Sequence, residues 1–161
     1  MRRIAALLIV VLGTLSLGTA TAQPRRDTPY RASISSGQAM LRRGPGRNYP
    51  AEWLYVRRDL PIRVVEVYQS WRKIEDPDGT TGWMLVSLLS DTRTAIVRGD
   101  EPRPLHAQPD AAAPVAYRAE PGVVGRISRC GGGWCRLAVG GRAGFIRTDH
   151  IWGVSPGETL S

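Results

Sequence analysis

Short runs of apolar and β-branched residues, separated by turn residues, run through the chain from about residue 34 onward. Residues 60–68, "LPIRVVEVY", are rich in Val and Ile. In residues 123–130, "VVGRISRC", the positions Val124, Arg126 and Ser128 alternate with Gly125, Ile127 and Arg129. Both patterns are typical of strands. Asp78–Gly79 and Gly140–Gly141 fit tight hairpin turns, because glycine tolerates a positive φ. No segment has the length and periodicity of an amphipathic helix, so the sequence predicts an all-β protein.

These runs repeat along the chain at a spacing of 62 to 64 residues. The equivalent positions are Leu41 and Leu105, Pro50 and Pro114, Trp71 and Trp134, Ile74 and Leu137, Gly82 and Gly144, Trp83 and Phe145, and Leu89 and Ile151. The simplest organisation is two copies of one small unit. A unit of this size barely supports its own core, so we expect the copies to pack together or to depend on a disulfide.

The N-terminus, "MRRIAALLIVVLGTLSLGTATAQ", has two arginines, an apolar run and then small residues. This layout predicts a secretory signal peptide over residues 1–22, cleaved after Ala22. The apolar run falls short of the roughly 20 residues of a membrane helix, so a retained anchor is the less favoured alternative and the mature chain is predicted to lack an integral membrane span. Residues 23–33 and 155–161 lack apolar periodicity and are predicted to be a flexible leader and tail.

The formal charge is +8 for the 161-residue sequence and +6 once Arg2 and Arg3 leave with the signal. This surplus is modest and spread along the chain, so it favours weak association with anionic surfaces. Together with export it argues against a nucleic-acid partner. The predicted location is the periplasm or the extracellular space.

Cys130 and Cys135 are the only cysteines, and they flank "GGGW". In an exported protein an even number of cysteines at such close spacing predicts a disulfide. Because the closed loop is short, the bond is expected to stabilise the fold by about 2 kcal/mol.

Residues 41–50, "LRRGPGRNYP", are followed by an apolar strand, by Trp71-x-Lys73-Ile74 and by an acidic-glycine turn before Gly82-Trp83. This succession resembles the bacterial SH3-like domain family. The resemblance is good over residues 34–92 and weaker at the start of the second copy, residues 93–154, where "LHAQPD" replaces "LRRGPG". It implies two tandem five-stranded β-barrels, the second of a cysteine-containing type found in exported bacterial proteins. Such a fold does not by itself define a ligand.

The glycine-rich stretch at residues 41–50 lacks the spacing of a phosphate-binding loop and leads into no helix. It is therefore predicted to turn the chain, with Gly44 or Gly46 in a conformation closed to other residues. This interpretation leaves Arg42, Arg43 and Arg47 free to face water or an anionic ligand.

Several aromatic residues are candidates for ligand contact. Tyr49, Trp53 and Tyr55 are predicted to cluster in a loop after the turn and to bind a ligand, although packing against the second copy would also explain them. Trp83 is either a groove wall or a core residue. Trp71 and Trp134 could stack on a sugar ring, but packing on their own barrel is the preferred interpretation.

Catalysis and metal binding find little support in the sequence. A Cys–His enzyme would need a separate scaffold holding the two groups about 3 Å apart, and the cysteines are expected to pair with each other. The spacing of His106 and His150 does not fit a zinc site. Glu75, Asp76 and Asp78 fall in or beside a turn that is expected to expose them, which argues against a glycosidase. No catalytic residue, metal or cofactor is predicted.

The sequence thus predicts a non-catalytic binding module of the bacterial cell envelope. The resemblance implies that the ligand is peptidoglycan or a peptide segment of an envelope protein, bound in an aromatic groove, with arginines attracting carboxylates. The residues predicted to bind it are Tyr49, Trp53, Tyr55, Trp83, Arg42, Arg43 and Arg47. A structural adaptor in a periplasmic complex is the alternative, and a cell-wall hydrolase is the least favoured one.

Overall fold

Fourteen strands and two short 3-10 helices organise residues 26–161, the part of the chain that the computed structural model describes. The predicted signal peptide and its cleavage site lie outside these residues. The protein is nearly all β, as the pattern of apolar runs predicted. Among the described residues, no helix is both long enough and apolar enough to cross a bilayer.

Repeat 1 forms one antiparallel sheet of seven strands in the order β3-β2-β6-β5-β4-β1-β7, with a 3-10 turn at Val86–Leu88 before the last strand. Its strands are β1 (Tyr30–Ile34), β2 (Ala39–Arg42), β3 (Ala51–Tyr55), β4 (Pro61–Tyr68), β5 (Trp71–Glu75), β6 (Thr81–Leu85) and β7 (Leu89–Ser90).

Repeat 2 forms a second seven-stranded sheet in the order β10-β9-β13-β12-β11-β8-β14, with a 3-10 turn at Thr148–His150. Its strands are β8 (Thr94–Val97), β9 (Arg103–His106), β10 (Val115–Ala119), β11 (Val124–Gly131), β12 (Trp134–Val139), β13 (Arg142–Arg147) and β14 (Ile151–Trp152). The second sheet reproduces the first strand for strand, so the fold is two copies of one SH3-like unit. Each sheet has seven strands rather than the expected five, because flanking segments pair at its end.

One glycine in each repeat allows two strands to approach closely. A Cβ on Gly82 in β6 would lie 2.6 Å from the Leu41 side chain in β2, and a Cβ on Gly144 in β13 would lie 2.8 Å from Leu105 in β9. Real Cβ atoms do not approach other heavy atoms so closely, so glycine is required here for space. This shared requirement explains why the Gly and Leu positions recur in the sequence repeat.

The predicted hairpin turns are present in both repeats. Gly79 has a φ of 87°, and the Gly79 amide donates to the Asp76 carbonyl at 3.1 Å. Gly140 and Gly141 have φ values of 55° and 83° and join β12 to β13 directly, with Val139 paired to Arg142. Two consecutive left-handed residues match the right-handed twist of the flanking strands.

The two repeats pack against each other. Ile96 of β8 is 7% exposed and belongs to the hydrophobic core of repeat 1, where Val124 and Trp152 also pack. The Arg31 guanidinium lies 4.3 Å from the centre of the Trp152 ring. Polar contacts also cross between the repeats, and Arg57 donates to the Gly122 carbonyl at 2.6 Å. The expectation that the two copies pack together is therefore met by apolar, aromatic and polar contacts.

Two segments that were expected to be flexible make defined contacts in the part of the chain described. The leader was expected to extend to residue 33, but β1 begins at Tyr30 and pairs with both β4 and β7. The tail was expected to be flexible from residue 155, but Glu158 forms an ion pair with Arg93, and the Leu160 amide donates to the Cys130 carbonyl at 3.0 Å. Both segments are held by contacts with residues that are distant in the sequence. The local pattern of apolar residues therefore did not reveal them.

Candidate functional site

The β2–β3 hairpin of repeat 1 presents the most exposed apolar surface of that repeat. β3 lies at the edge of its sheet and pairs only with β2, and four of its five residues are exposed. Trp53 is 59% exposed and Tyr49, at the end of the preceding loop, is 42% exposed. Three further apolar side chains in or next to the hairpin are exposed, namely Met40, Leu54 and Val56. A large part of the Trp53 and Tyr49 side chains is therefore open to solvent.

The loop before β3 does turn the chain, although for a different reason from the one predicted. Neither Gly44 nor Gly46 has a left-handed φ. A Cβ on Gly44 would instead lie 2.3 Å from the Tyr49 ring, and one on Gly46 would lie 2.4 Å from the Asn48 side-chain oxygen. The glycines are needed because Tyr49 folds back over the loop, so the loop backbone and the candidate ring form one packed unit.

Two of the three candidate arginines take part in the structure of the hairpin. Arg42 donates from Nη1 to the Tyr49 carbonyl at 2.7 Å, and Arg43 pairs through Nε with the Glu52 carboxylate at 2.5 Å. Arg47 is exposed at the tip of the loop. Arg42 therefore holds the loop in shape, Arg43 is exposed but paired with Glu52, and Arg47 is the exposed candidate for contact with an anionic ligand.

Tyr55 is a core residue and not a surface one, which corrects its predicted role. It is 6% exposed, and its hydroxyl donates to Asp76 Oδ2 at 2.9 Å. Burial raises the pKa of Tyr55 above its usual range, and the hydrogen bond to Asp76 and the negative charge of that carboxylate raise it further. Trp53 and Tyr55 are two residues apart and share a face of β3, so the difference comes from position along the strand: Tyr55 ends β3 opposite Ala39 and beside Asp76.

Asp76 is likewise buried rather than exposed by its turn. Besides accepting from Tyr55, it accepts through Oδ1 from the backbone N–H groups of Asp78 at 2.9 Å and Thr80 at 2.8 Å. A carboxylate with three donors is satisfied in its buried position. Asp76 therefore fixes the β5–β6 turn to the end of β3, and it has a structural role.

The other tryptophans with predicted roles lie inside their repeats. Trp83, Trp71 and Trp134 are each 8% exposed. Trp83 in β6 is paired with Arg42 in β2 and is buried, so its ring does not form an open groove wall. Trp134 meets the His106 ring edge to face, with centroids 5.4 Å apart. Packing on the parent sheet, the preferred interpretation for Trp71 and Trp134, agrees with this burial.

In both repeats a side chain on the second strand contacts a backbone carbonyl of the loop that follows it. Arg42 and His106 occupy equivalent positions in β2 and β9, and His106 Nδ1 lies 2.8 Å from the Ala113 carbonyl oxygen. Ala113 precedes Pro114 just as Tyr49 precedes Pro50. His106 therefore holds the β9–β10 loop through a backbone carbonyl, as Arg42 holds the β2–β3 loop.

The predicted disulfide is present. Cys130 and Cys135 are joined across the β11–β12 turn, and neither cysteine is a free thiol.

His150 is partly buried, and burial lowers its pKa below the usual value. Among residues 26–161, no group of three or more His, Cys, Asp or Glu side chains is placed to hold a metal ion.

One exposed aromatic residue was missed. Tyr117 on β10 is 40% exposed and pairs with Leu105 in the same register in which Trp53 pairs with Leu41. Arg142 lies over its ring, 5.7 Å from the centroid. The repeat alignment contained the signal, because Tyr117 stands 64 residues after Trp53.

The fold and this repeated hairpin define a tandem SH3-like protein. The family model described as "Bacterial SH3 domain" matches residues 35–91 and 99–153. These two matches cover more than half of the chain, and the protein belongs to the bacterial SH3 domain family. No curated protein sequence matches the chain.

Three solved structures are similar to the chain at low identity. NlpC2 from Trichomonas vaginalis is 12% identical with a TM-score of 0.35, and the match covers 80% of this chain and 49% of that one. An NlpC/P60 family protein from Bacillus cereus ATCC 10987 is 13% identical with a TM-score of 0.35, over 76% and 56% of the two chains. NlpC1 from Trichomonas vaginalis is 12% identical with a TM-score of 0.34, over 86% and 50%. The chain thus spans about half the length of these proteins, and likenesses of this size carry no inference about ligand or catalysis.

Proposed function

We propose that this protein is a non-catalytic binding module of the bacterial cell envelope, which recognises peptidoglycan or an envelope peptide through the Trp53 surface. We define the Trp53 surface as Tyr49 and Trp53 together with Arg43 and Arg47. The observation that carries the proposal is the 59% exposure of Trp53 on an edge hairpin whose loop is fixed by packing and hydrogen bonds. Exposed apolar patches on a rigid scaffold mark contact surfaces.

The chemistry of this surface suits a ligand that has both apolar and anionic parts. An indole ring offers a flat apolar face to a sugar ring or to a peptide side chain. Arg47 adds positive charge near the ring, Arg43 adds an exposed guanidinium that is paired with Glu52, and guanidinium groups bind carboxylates well. Peptidoglycan carries both sugar rings and peptide carboxylates, so it fits the Trp53 surface, as does an acidic peptide segment.

An exported location supports the same proposal. The disulfide between Cys130 and Cys135 is the kind of bond that persists outside the reducing cytoplasm. The N-terminal sequence has the layout of a secretory signal. Both features agree with a protein that meets the cell wall.

The proposal is tested by sedimentation of the protein with purified cell wall. Trp53→Ala is expected to weaken binding by roughly tenfold, because Trp53 is the most exposed aromatic residue of this surface and exposed tryptophans are frequent binding hot spots. Tyr68→Ala is the matched control, since Tyr68 is 50% exposed but lies on β4, away from the Trp53 surface. Unchanged binding by Trp53→Ala would remove the support for this surface.

Salt dependence separates the contribution of charge from that of the ring. Raising the ionic strength is expected to weaken wild-type binding partly, and Arg47→Ala should reduce that dependence. Binding that is fully lost in salt with Trp53 intact would instead indicate nonspecific attraction of a basic protein to an anionic wall.

The structural adaptor is the second candidate, and another face of repeat 1 favours it. A groove of about 910 Å³ lies between the N-terminal segment and the β4–β5 hairpin, with Tyr30, Tyr68 and Arg72 among its lining residues. A protein that fails to bind cell wall at low salt and binds a defined envelope protein, with loss on Tyr68→Ala, would be assigned as an adaptor.

A further inference from the structure

Repeat 2 has an open groove between the end of β10 and the β12–β13 hairpin. Its volume is about 480 Å³, which lies within the range of small-ligand sites. The residues that matter for the argument are Leu105, Tyr117, Ala119, Val123, Val139 and Arg142. None of the residues predicted to bind a ligand lies in this groove, so it is separate from the Trp53 surface.

The same place in repeat 1 is closed by an aromatic side chain. Tyr55 ends β3 and pairs with Ala39, and Ala119 ends β10 and pairs with Arg103 in the same register. Asp76, which accepts from the Tyr55 hydroxyl, follows β5 two residues after Ile74. The residue two positions after the equivalent Leu137 is Val139. Repeat 2 has therefore lost both the ring and the carboxylate that fill this position in repeat 1.

We propose that the groove of repeat 2 binds a phenylalanine side chain from a peptide that carries a carboxylate beside it. Repeat 1 shows that the fold accommodates a six-membered ring at this place, held against the end of β3. In repeat 2 the floor is apolar, since Leu105 and Ala119 are 4% and 7% exposed and Val139 replaces the acid. A ring from a partner would bury apolar area there as Tyr55 does in its own repeat.

The replacement of Asp76 by Val139 sets a preference between ring types. In repeat 1 the Tyr55 hydroxyl has a carboxylate acceptor at 2.9 Å. A ligand tyrosine at the equivalent depth in repeat 2 would meet the Val139 side chain instead, and a buried hydroxyl without an acceptor is unfavourable. Phenylalanine has no such group, so the groove is expected to prefer it over tyrosine.

Charge at the rim indicates the neighbouring group of the ligand. The Arg142 guanidinium lies over the Tyr117 ring, and Arg118 is exposed next to Tyr117 on β10. Glu120 is the single acid among the residues that line the groove. Two guanidinium groups against one carboxylate favour an acidic residue next to the phenylalanine.

The proposed occupant is a segment of another molecule. Residues 1–25 contain no aromatic residue, and the single phenylalanine of the chain, Phe145, is part of strand β13. The groove is thus expected to take a segment of a partner protein or of a peptide, and not a segment of its own chain.

The test is a titration of the full chain with short blocked peptides, followed by the amide signals of repeat 2 in NMR spectra. The probes are acetyl-Asp-Phe-amide and the versions with Tyr or Ala in place of Phe and with Lys in place of Asp. The Asp-Phe peptide is expected to shift the amides of Ala119, Val139 and Arg142 and to bind roughly tenfold more tightly than Asp-Ala. Binding of Asp-Tyr should be weaker than that of Asp-Phe, and binding of Lys-Phe weaker still.

A double variant closes the groove with the pair that repeat 1 already uses. Ala119→Tyr combined with Val139→Asp is expected to reduce Asp-Phe binding by roughly tenfold. Should this variant not fold, Arg142→Glu provides a second measurement, because Arg142 is exposed and its reversal should invert the preference between Asp-Phe and Lys-Phe. The affinity read from the amide shifts of Ala119, Val139 and Arg142 is expected to stay the same in Trp53→Ala, which separates this site from any binding of the acidic peptide at the Trp53 surface.

Three results would overturn the proposal. The first is the absence of amide shifts in repeat 2 at millimolar Asp-Phe. The second is Asp-Phe affinity that neither the double variant nor Arg142→Glu changes. The third is concentration-dependent self-association of the free protein that the double variant abolishes, because this would assign the groove to a second copy of the chain.

Discussion

The two repeats share a backbone and differ in how they secure the same hairpins. Both have the same strand order, the same irregular register between the second and third strands and the same glycine beneath a leucine. Repeat 1 ties its β5–β6 turn to β3 with the Tyr55–Asp76 hydrogen bond. Repeat 2 lacks that pair and carries a disulfide across a different turn. Close backbone packing is thus the common requirement, whereas the device that secures each hairpin can be exchanged.

The largest effect is expected at the interface that joins the repeats. Ile96 belongs to repeat 2 by sequence but is buried in the core of repeat 1. Ile96→Ala should lower the free energy of unfolding by about 2–5 kcal/mol, as buried Ile-to-Ala changes do. Thermal melting measures this, with Val56→Ala as the control because Val56 is 71% exposed. If the repeats were independent, two separate transitions would be resolved and only one would move.

Removal of the disulfide tests whether the stability of repeat 2 depends on the Cys130–Cys135 bond. Replacing both Cys130 and Cys135 by serine is expected to destabilise the protein by about 2 kcal/mol in the chain-entropy model. Melting in the presence of a reductant should reproduce the effect in the wild-type protein and leave the variant unchanged. A variant as stable as the oxidised protein would show that repeat 2 rests on its core alone.

The hydrogen bond between Tyr55 and Asp76 in repeat 1 is tested by Tyr55→Phe. The change keeps the ring and removes the hydroxyl that Asp76 accepts from, so a loss of about 1.5 kcal/mol is expected. Tyr117→Phe is the matched control, since Tyr117 is exposed on the equivalent strand. Equal stability of the two variants in chemical denaturation would mean that the Tyr55 hydrogen bond contributes nothing net.

The smallest effect concerns the ion pair between the tail and repeat 2. The hydrogen bond from Arg93 lowers the pKa of Glu158 below its ordinary value of 4.5. The folded state therefore binds the proton less tightly than the unfolded state, and the pair stabilises the protein above that ordinary value. This stabilisation is lost as the pH falls through the lowered pKa.

Glu158→Gln should accordingly cost about 1 kcal/mol at neutral pH and almost nothing at the acidic end of the stability curve. Chemical denaturation at several pH values measures the difference between the wild-type protein and the variant. A difference that stays constant with pH would assign the effect to packing of the tail rather than to the charge of Glu158.

Much of the fold could be predicted because it depends on local patterns. The repeat, the strands, the turns at Gly79 and at Gly140–Gly141 and the disulfide all leave marks within a few residues in the sequence. The exposure of Tyr49 and Trp53 also agreed with the prediction, although Trp53 stands in a strand rather than in a loop. The strand β1 and the ordered tail were missed, because their contacts are with residues far away in the sequence.

The sequence by itself determined the duplicated all-β fold, since alternation, glycine turns and paired cysteines act over short distances. Only the tertiary structure decided which aromatic residues face solvent, because burial depends on which strands meet. It placed Tyr55 inside against Asp76, left Trp53 outside, and opened in repeat 2 the space that Tyr55 fills in repeat 1. It also decided why Gly44 must be glycine. Local rules predict a positive φ there, but the requirement is space, because a Cβ on Gly44 would collide with the Tyr49 ring.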